Sequence, residues 1–471
     1  MTTEFMPINM AQLCMQMSRR TASTIRGPLF ARHRVPIRFQ AHKPHHVEFN
    51  LENKTMEKSL LGLYAMNGGE GPHSYAQNSS YQCRAGWRLN GYDLIFTPAP
   101  SPMMDAIFIL VPILSPSIFP YLRSFSTKTY SINIPTRGAV AAAKPIIEEE
   151  IAAKLNIEQL SSTQINLFRI ADFGCSTGHN SFPAIQIITE AVQKTFQTKR
   201  FTSQVPEFHV FFNDQVANDF NTLFNSLPPQ RNYHAAGVPG SFHGRLLPNA
   251  SLDFAYTSFA LHWISDVPEA VEDSTSPAWN KGKVHYTGAS KEVFEAYSNH
   301  YANDIELFLK ARAEELVSGG LMTLLVPAVP SFKHSETSYT NPIEMDLLGS
   351  CLIDMAKKGI LSEEKVDTFN FPLYFTIPEE IKAIIERNHS FSIERMEILD
   401  NPGKRTLTSA DARATYYRAI FEGLLINHFG IEIMDELFNQ YTKKLAASPL
   451  FLDPDNDKSI IIFVLLKRKV E

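Results

Sequence analysis

The chain is poor in cysteine, having only Cys14, Cys83, Cys175 and Cys351 among 471 residues, with no C-x-x-C spacing. That suggests neither a disulfide framework nor a cysteine zinc site, and it suits a reducing compartment. A basic block is missing from the central and C-terminal parts, and the net charge is −5, so nucleic acid is not the expected partner. No apolar run is long enough for a membrane helix. The most apolar stretch, Ala106 to Leu122, is interrupted by Pro112, Pro116 and Pro120 and falls short of the ~20 residues needed, so no membrane partner is expected either. The G-x-G-x-x-G of dinucleotide-binding folds does not appear at the most suggestive glycine turn, which disfavours a nicotinamide-dependent oxidoreductase. Acidic residues are nearly absent from the N-terminus, where only Glu4 precedes Glu48 while Arg19, Arg20, Arg26, Arg32, Arg34 and Arg38 occur among Ser and Thr. Residues 1–55 therefore read as an extension outside the fold, either an organelle transit peptide or upstream sequence foreign to the functional protein. The expected location is the cytoplasm, or a plastid or mitochondrion if the extension is a transit peptide.

What is present is an ordinary globular apolar fraction and a series of strand-like runs that end in polar groups. The organising stretch is Leu167 to Phe182, LFRIADFGCSTGHNSF. An apolar run ends in Asp172, the small residues 174–178 turn, and a helical pattern follows from Pro183 to Phe196. Glycine tolerates close backbone approach and positive φ, and ligands in open α/β sheets sit beyond the carboxyl ends of the strands. Taken alone, the turn reads equally well as a plain strand–helix connection. Further on, Glu207 to Phe212 is a second strand closed by Asn213-Asp214, an acid placed to accept hydrogen bonds from ribose hydroxyls. Asp219-Phe220-Asn221 starts a helix. Ala235 to Phe242 reads as a glycine loop able to bend near an adenine ring, and Leu252 to Leu261 as a buried strand delivering His262-Trp263. Three strands thus present polar or aromatic groups at the same kind of position.

Glu292 to Ser318 is predicted as a long helix whose stripe of Val293, Tyr297, Tyr301, Ile305 and Phe308 is core, ended by Gly319-Gly320 before a strand at Leu321 to Val326. Ile343 to Lys358, Pro378 to Glu386 and Ala410 to Ala447 read as helical, and Ser459 to Leu466 as a central strand. Near the start, Tyr64 to Gln82 (YAMNGGEGPHSYAQNSSYQ) reads as a polar turn or as a lid over a pocket. Arg137 to Leu155 is strongly helical.

With these segments assembled, the chain resembles the plant SABATH methyltransferases, which methylate carboxyl groups of small acids or ring nitrogens of xanthines. The matching segments include MNGGEGPHSYAQNSSYQ, IADFGCSTGHNSF, FFNDQVANDFNTLFNSLPP, GVPGSFHGRLLP, LHWISDVP and SPAWNKGKVHYTGAS, in family order over Tyr64–Gln82 and Arg137–Lys469. The resemblance implies an α/β fold, a Rossmann-like methyltransferase sheet with an α-helical cap, at residues 56–471, the cap lying mainly in 280–315 and 335–450. It implies S-adenosyl-L-methionine as methyl donor, a small-molecule carboxylic acid as acceptor, and a homodimer. Residue by residue, it places Tyr75, Ser79, Asp172, Cys175, Asn180, Asp214, Gln215, Ser241, Phe242 and Ser258 at the methyl-donor site. Gln82 and Trp263 match the pair that positions the acceptor, and Phe259 and His262 match pocket walls. A Mg2+ site described for some members would fall on Asn280, Asp367, the Phe369 carbonyl and Asn370.

Three departures stand out. Asn67 replaces the usual lysine, Phe259 replaces a common tyrosine, and residues 83–136, about 54 positions, interrupt what is one continuous element in the family. Loop closure across such an insertion costs only about 0.6 kcal/mol per doubling of length, but it splits a helix beside the pocket. The segment is accordingly expected to be translated intron or another gene-model error. The leading function is methyl ester formation. The alternatives are a catalytically impaired paralogue that binds ligand without turnover and an N-methyltransferase of xanthine-like substrates.

Overall fold

A seven-stranded sheet runs through the protein with strands in the order β3-β2-β1-β4-β5-β7-β6. The computed structural model describes residues 87–89, 92–94, 119–156, 167–199, 205–332 and 340–470. The strands are β1 (Leu167–Phe173), β2 (Glu207–Asp214), β3 (Tyr233–Pro239), β4 (Leu252–Ser258), β5 (Leu316–Ala328), β6 (Phe391–Asp400) and β7 (Ile460–Arg468). Strands β1 to β5 are parallel, and β7 inserts antiparallel between β5 and β6. The strand order reverses where β1 and β4 lie side by side, so their carboxyl ends open the crevice in which open α/β sheets take ligands.

Helices cover both faces because the central strands are apolar on both. On one face α1 (Phe119–Lys154) and α2 (Ser181–Lys199) pack against β1 and β2, with Val140, Ile147 and Ile151 of α1 buried at helical spacing. Each such isoleucine contributes about 1.5–3 kcal/mol by leaving water. The short α3 (Phe220–Asn225) follows β2, and on the other face lie α4 (Lys291–Glu315) and α7 (Pro378–Arg387), where the predicted stripe from Val293 to Phe308 is buried. A third core joins α5 (Thr340–Lys357), α6 (Glu363–Asp367), α8 (Ala410–Phe429) and α9 (Met434–Ala447) into a cap.

Several expectations are corrected. The segment 280–315 does not belong to the cap as a whole, because α4 spends its apolar stripe on the sheet. The loop expected at Ala235 to Phe242 is mostly strand β3, paired with β2 from Phe208↔Tyr233 to Asp214↔Pro239, and the turn begins only at Gly240. Gly319-Gly320 does not end a helix. The helix stops at Glu315, and the pair lies inside β5 where the register against β4 slips, a bulge for which Gly319 takes φ +77°. The single helical span Ala410 to Ala447 breaks at Gly430, φ +92°. The helix expected to begin near Arg137 begins at Phe119, so the C-terminal part of the atypical segment 83–136 runs directly into α1. That segment also holds a short hairpin, Trp87–Leu89 with Tyr92–Leu94. The extension 1–55 and Asn67, Tyr75, Ser79 and Gln82 lie outside the described residues. No helix among the described residues is long and apolar enough to cross a membrane.

Candidate active site

The turn after β1 is built for close approach. Gly174 (φ +85°) and Gly178 (φ +89°) occupy backbone conformations that favour glycine, and Ser176 joins them at φ +48°. A Cβ on Gly174 would stand 2.3 Å from the Ala260 Cβ, and one on Gly178 would strike the Phe182 ring at 2.2 Å. The turn is pinned to β2, since the Gly174 and Cys175 N–H groups both donate to the Asn213 carbonyl at 2.9 Å. Asn213 then holds the next loop, its amide donating to the carbonyls of Val238 at 2.7 Å and Gly240 at 2.9 Å. One side chain therefore fixes the β1 turn's partner strand to the loop that carries Ser241 and Phe242.

Two acids stand at the strand ends. Asp172 is buried, its Oδ2 has no hydrogen-bond partner, and burial pushes its carboxyl up to about 7. Asp214 is pushed up to about 6 by burial, against two N–H donors: Ser176 at 2.7 Å and Gln215 at 2.8 Å. An unbonded carboxylate oxygen in such a position is costly unless a polar or cationic ligand meets it.

A cavity of about 670 Å3, counted out to its open mouth, lies above this turn. Asp172, Cys175, Asn180 and Ser258 line it on the sheet side, and Phe259, His262 and Trp263 face them. Phe259 sits at φ +56°, which turns the chain sharply after β4. The following residues are locked to the cap: Tyr374 N–H donates to the His262 carbonyl at 2.9 Å and Ile264 N–H to the Pro372 carbonyl at 3.0 Å. The His262 ring stacks on Phe375 at 5.8 Å, and Trp263 meets Phe421 edge-on at 6.0 Å. Burial pushes His262 down to about 3, so the imidazole is neutral at physiological pH.

The structure therefore brings Asp172, Cys175, Asn180, Ser258, Phe259, His262 and Trp263 around one cavity. Asp214, Gln215, Ser241 and Phe242 do not line this cavity: Asp214 touches the turn through Ser176, a Cβ on Gly174 would lie 3.8 Å from the Phe242 ring, and Gln215 and Ser241 adjoin these two in the chain. Sequence reasoning missed Thr136, Tyr416 and Ile420, which also line the cavity. The adjacent aromatics Tyr416-Tyr417 were the available signal, but on a helix they read as core. The Mg2+ set comes together as a polar latch. Asn280 Nδ2 donates to Asn370 Oδ1 at 2.7 Å, and Asp367 Oδ1 accepts the Gly282 N–H at 2.8 Å. Asn370 Oδ1 and Asp367 Oδ1 are thus engaged within the protein, and only one member of the set is a carboxylate, a weak donor set for a hard cation that wants near-octahedral oxygens.

Comparison with known proteins places the chain in a family. The sequence profile of the family described as SAM dependent carboxyl methyltransferase matches residues 128–469. Loganic acid O-methyltransferase of Catharanthus roseus is 45% identical over 334 residues, 71% of this chain and 89% of that protein. Farnesoic acid carboxyl-O-methyltransferase of Arabidopsis thaliana is 40% identical over 306 residues, 65% of this chain and 86% of that protein. A solved structure of a loganic acid methyltransferase with SAH superposes with a TM-score of 0.69 at 44% identity, covering 73% of this chain and 96% of that one.

Proposed function

The chain belongs to the SAM-dependent carboxyl methyltransferase family, and from that premise we propose that it methylates the carboxylate of a small plant acid, with the residues described above in the following roles. The observation that carries the assignment is the buried, unbonded Asp172 Oδ2 beside a glycine turn with no room for a Cβ, in the same cavity as Trp263. Bound S-adenosylmethionine supplies a methyl group activated on a sulfonium. The donor set fits it: Asp172 offers an anion to a cationic amino group, Asp214 and Gln215 offer acceptors to hydroxyls, and Ser241-Phe242 form a rim for a flat ring. Asn180, Cys175 and Ser258 close the sheet side.

On the other side Trp263 orients the acceptor carboxylate, together with Gln82, which lies outside the described residues, as do Tyr75 and Ser79 on the methyl-donor side. Phe259 and His262 shape the wall. An acceptor carboxyl with a pKa near ~4 is already ionised at neutral pH, so no general base is needed. His262, neutral and buried, serves as wall and takes no proton. Alignment of the two reactants can supply up to about 7–11 kcal/mol of the barrier, and exclusion of water by Trp263, Tyr416 and Ile420 protects the reacting atoms. Magnesium has no step in this reading, because Asn370 Oδ1 and Asp367 Oδ1 already accept hydrogen bonds from Asn280 and the Gly282 N–H. Homodimerisation is carried over from the family and is checked by light scattering.

A catalytically impaired relative is the second reading, favoured by Asn67 and by the segment 83–136. A titration with S-adenosylhomocysteine beside a transfer assay on a panel of plant acids separates the two. Binding with transfer supports the proposal, and binding without transfer to any acid supports the impaired form.

A further inference from the structure

Beside the first cavity lies a second lobe of about 590 Å3, counted to its mouth, which shares part of its wall. Phe259, His262, Tyr416 and Ile420 line both lobes, so they form the junction. The lining of the second lobe is apolar at Met345, Phe375 and Leu407 and polar at Asn341, Asn401, Arg413 and Asp457. Arg413 lies seven residues along α8 from the shared wall residue Ile420, about 10 Å, which sets it and its neighbour Asp457 at the far end. Arg413 and Asp457 are each only 3% exposed. Arg413 Nη1 donates to Glu344 Oε1 at 2.6 Å and its Nε to the Phe451 carbonyl at 3.4 Å, while the Tyr417 hydroxyl donates to the other Glu344 oxygen. Asp457 Oδ1 accepts the Ser459 N–H at 2.8 Å. The guanidinium therefore meets Glu344 and stands near Asp457 before any ligand enters, and the far end holds no surplus positive charge.

Resting on the carboxyl-methylation reading, we propose that this lobe receives the far end of the acceptor and selects monocarboxylic acids whose far end is neutral and hydroxylated. A hydroxyl both donates and accepts, which matches amides, a guanidinium and a carboxylate together. A hydrocarbon end strips these groups of water without replacing their hydrogen bonds. A second carboxylate gives up its hydration and finds no uncompensated cation. Length enters too. Arg413 and Ile420 are seven residues apart on α8, about 10 Å at about 1.5 Å per residue, so an acid held by its carboxylate near Trp263 needs a multi-atom frame to reach the polar end. A single-ring aromatic acid stops short.

The test uses the full chain saturated with S-adenosylhomocysteine and three acids that share one saturated carbon frame, ending in hydrogen, hydroxyl or a second carboxylate. Calorimetry is expected to rank the hydroxylated acid on the order of tenfold tighter than the hydrocarbon, with the diacid weakest. Asn341→Leu is expected to bring the hydroxyl-to-hydrogen ratio near one without changing affinity for S-adenosylhomocysteine, and Asp457→Asn serves if the first variant does not fold. Equal affinity for the hydroxylated and hydrocarbon acids, or tightest binding of the diacid, would overturn the proposal. If the ranking holds while none of the acids accepts a methyl group, the methyl-transfer reading fails and the lobe's selectivity stands.

Discussion

Arg312 reaches from the last turn of α4 to the loop behind β3, where its Nη1 donates to the Phe242 carbonyl at 2.8 Å. Its Nη2 donates to the Gly244 carbonyl at 2.9 Å, and its guanidinium lies 4.0 Å from the centroid of the Phe173 ring, the residue before the glycine turn. Glu315 completes the brace: its Oε1 accepts the N–H groups of Leu246 at 2.6 Å and Leu247 at 2.9 Å, and the pair is fully buried. Arg312→Met leaves Glu315 charged and unpaired, which should cost about 3–5 kcal/mol of stability in urea unfolding. Because Phe242 loses its anchor, affinity for S-adenosylhomocysteine should fall more than affinity for the acceptor. Arg312→Lys, which keeps the charge without the fork, should fold and show the same ordering.

Asp172 links pH to both stability and binding. Its folded pKa of about 7 lies above the ordinary ~3.9, so the folded protein holds an extra proton between those values. The contribution is fully present below about 4 and is lost as pH rises through about 7, on the order of 4 kcal/mol. Asp172→Asn should therefore raise the melting temperature of the ligand-free protein at neutral pH while abolishing methyl-donor binding. In the unmodified protein, affinity for the cationic methyl donor should tighten from pH 6 to pH 8, with proton release visible as a buffer-dependent calorimetric enthalpy.

His262 and Trp263 should separate cleanly. With His262 pushed down to about 3, the pH–rate profile should carry no inflection from it above pH 5, and His262→Asn should lower kcat/KM by no more than about tenfold. Trp263→Ala removes the ring seated on Phe421 and should cost on the order of a hundredfold in kcat/KM through misplacement of the acceptor.

Chelation should leave the rate of transfer unchanged. Asp367→Ala, which deprives the Gly282 N–H of its partner, should instead appear as about 1 kcal/mol of lost stability in thermal unfolding.

The strands that sequence pattern reveals are the ones flanked on both sides. β1, β2, β4, β5 and β7 carry near-continuous apolar runs because both of their faces are covered. The two that escape it, β3 and β6, are the edges of the sheet, where exposed or half-exposed polar positions such as His234 and Arg395 break the run. The same logic divides the site. Asp172, Asp214 and Trp263 are legible because strand ends in an α/β sheet are where ligand groups belong. Tyr416, Ile420 and Arg413 come from a cap helix, and nothing in a helical period distinguishes a residue facing a cavity from one facing its neighbours. The missing partner of Asp172 Oδ2 is a property of packing alone.

The most direct measurement follows tritium from methyl-labelled S-adenosylmethionine into an acid acceptor and then treats the product with alkali. A methyl ester yields volatile, base-labile label as methanol, and that is the expected result, lost in Asp172→Asn. Label that stays with the acceptor after alkali would place the methyl group on nitrogen, carbon or a hydroxyl oxygen and contradict carboxyl methylation.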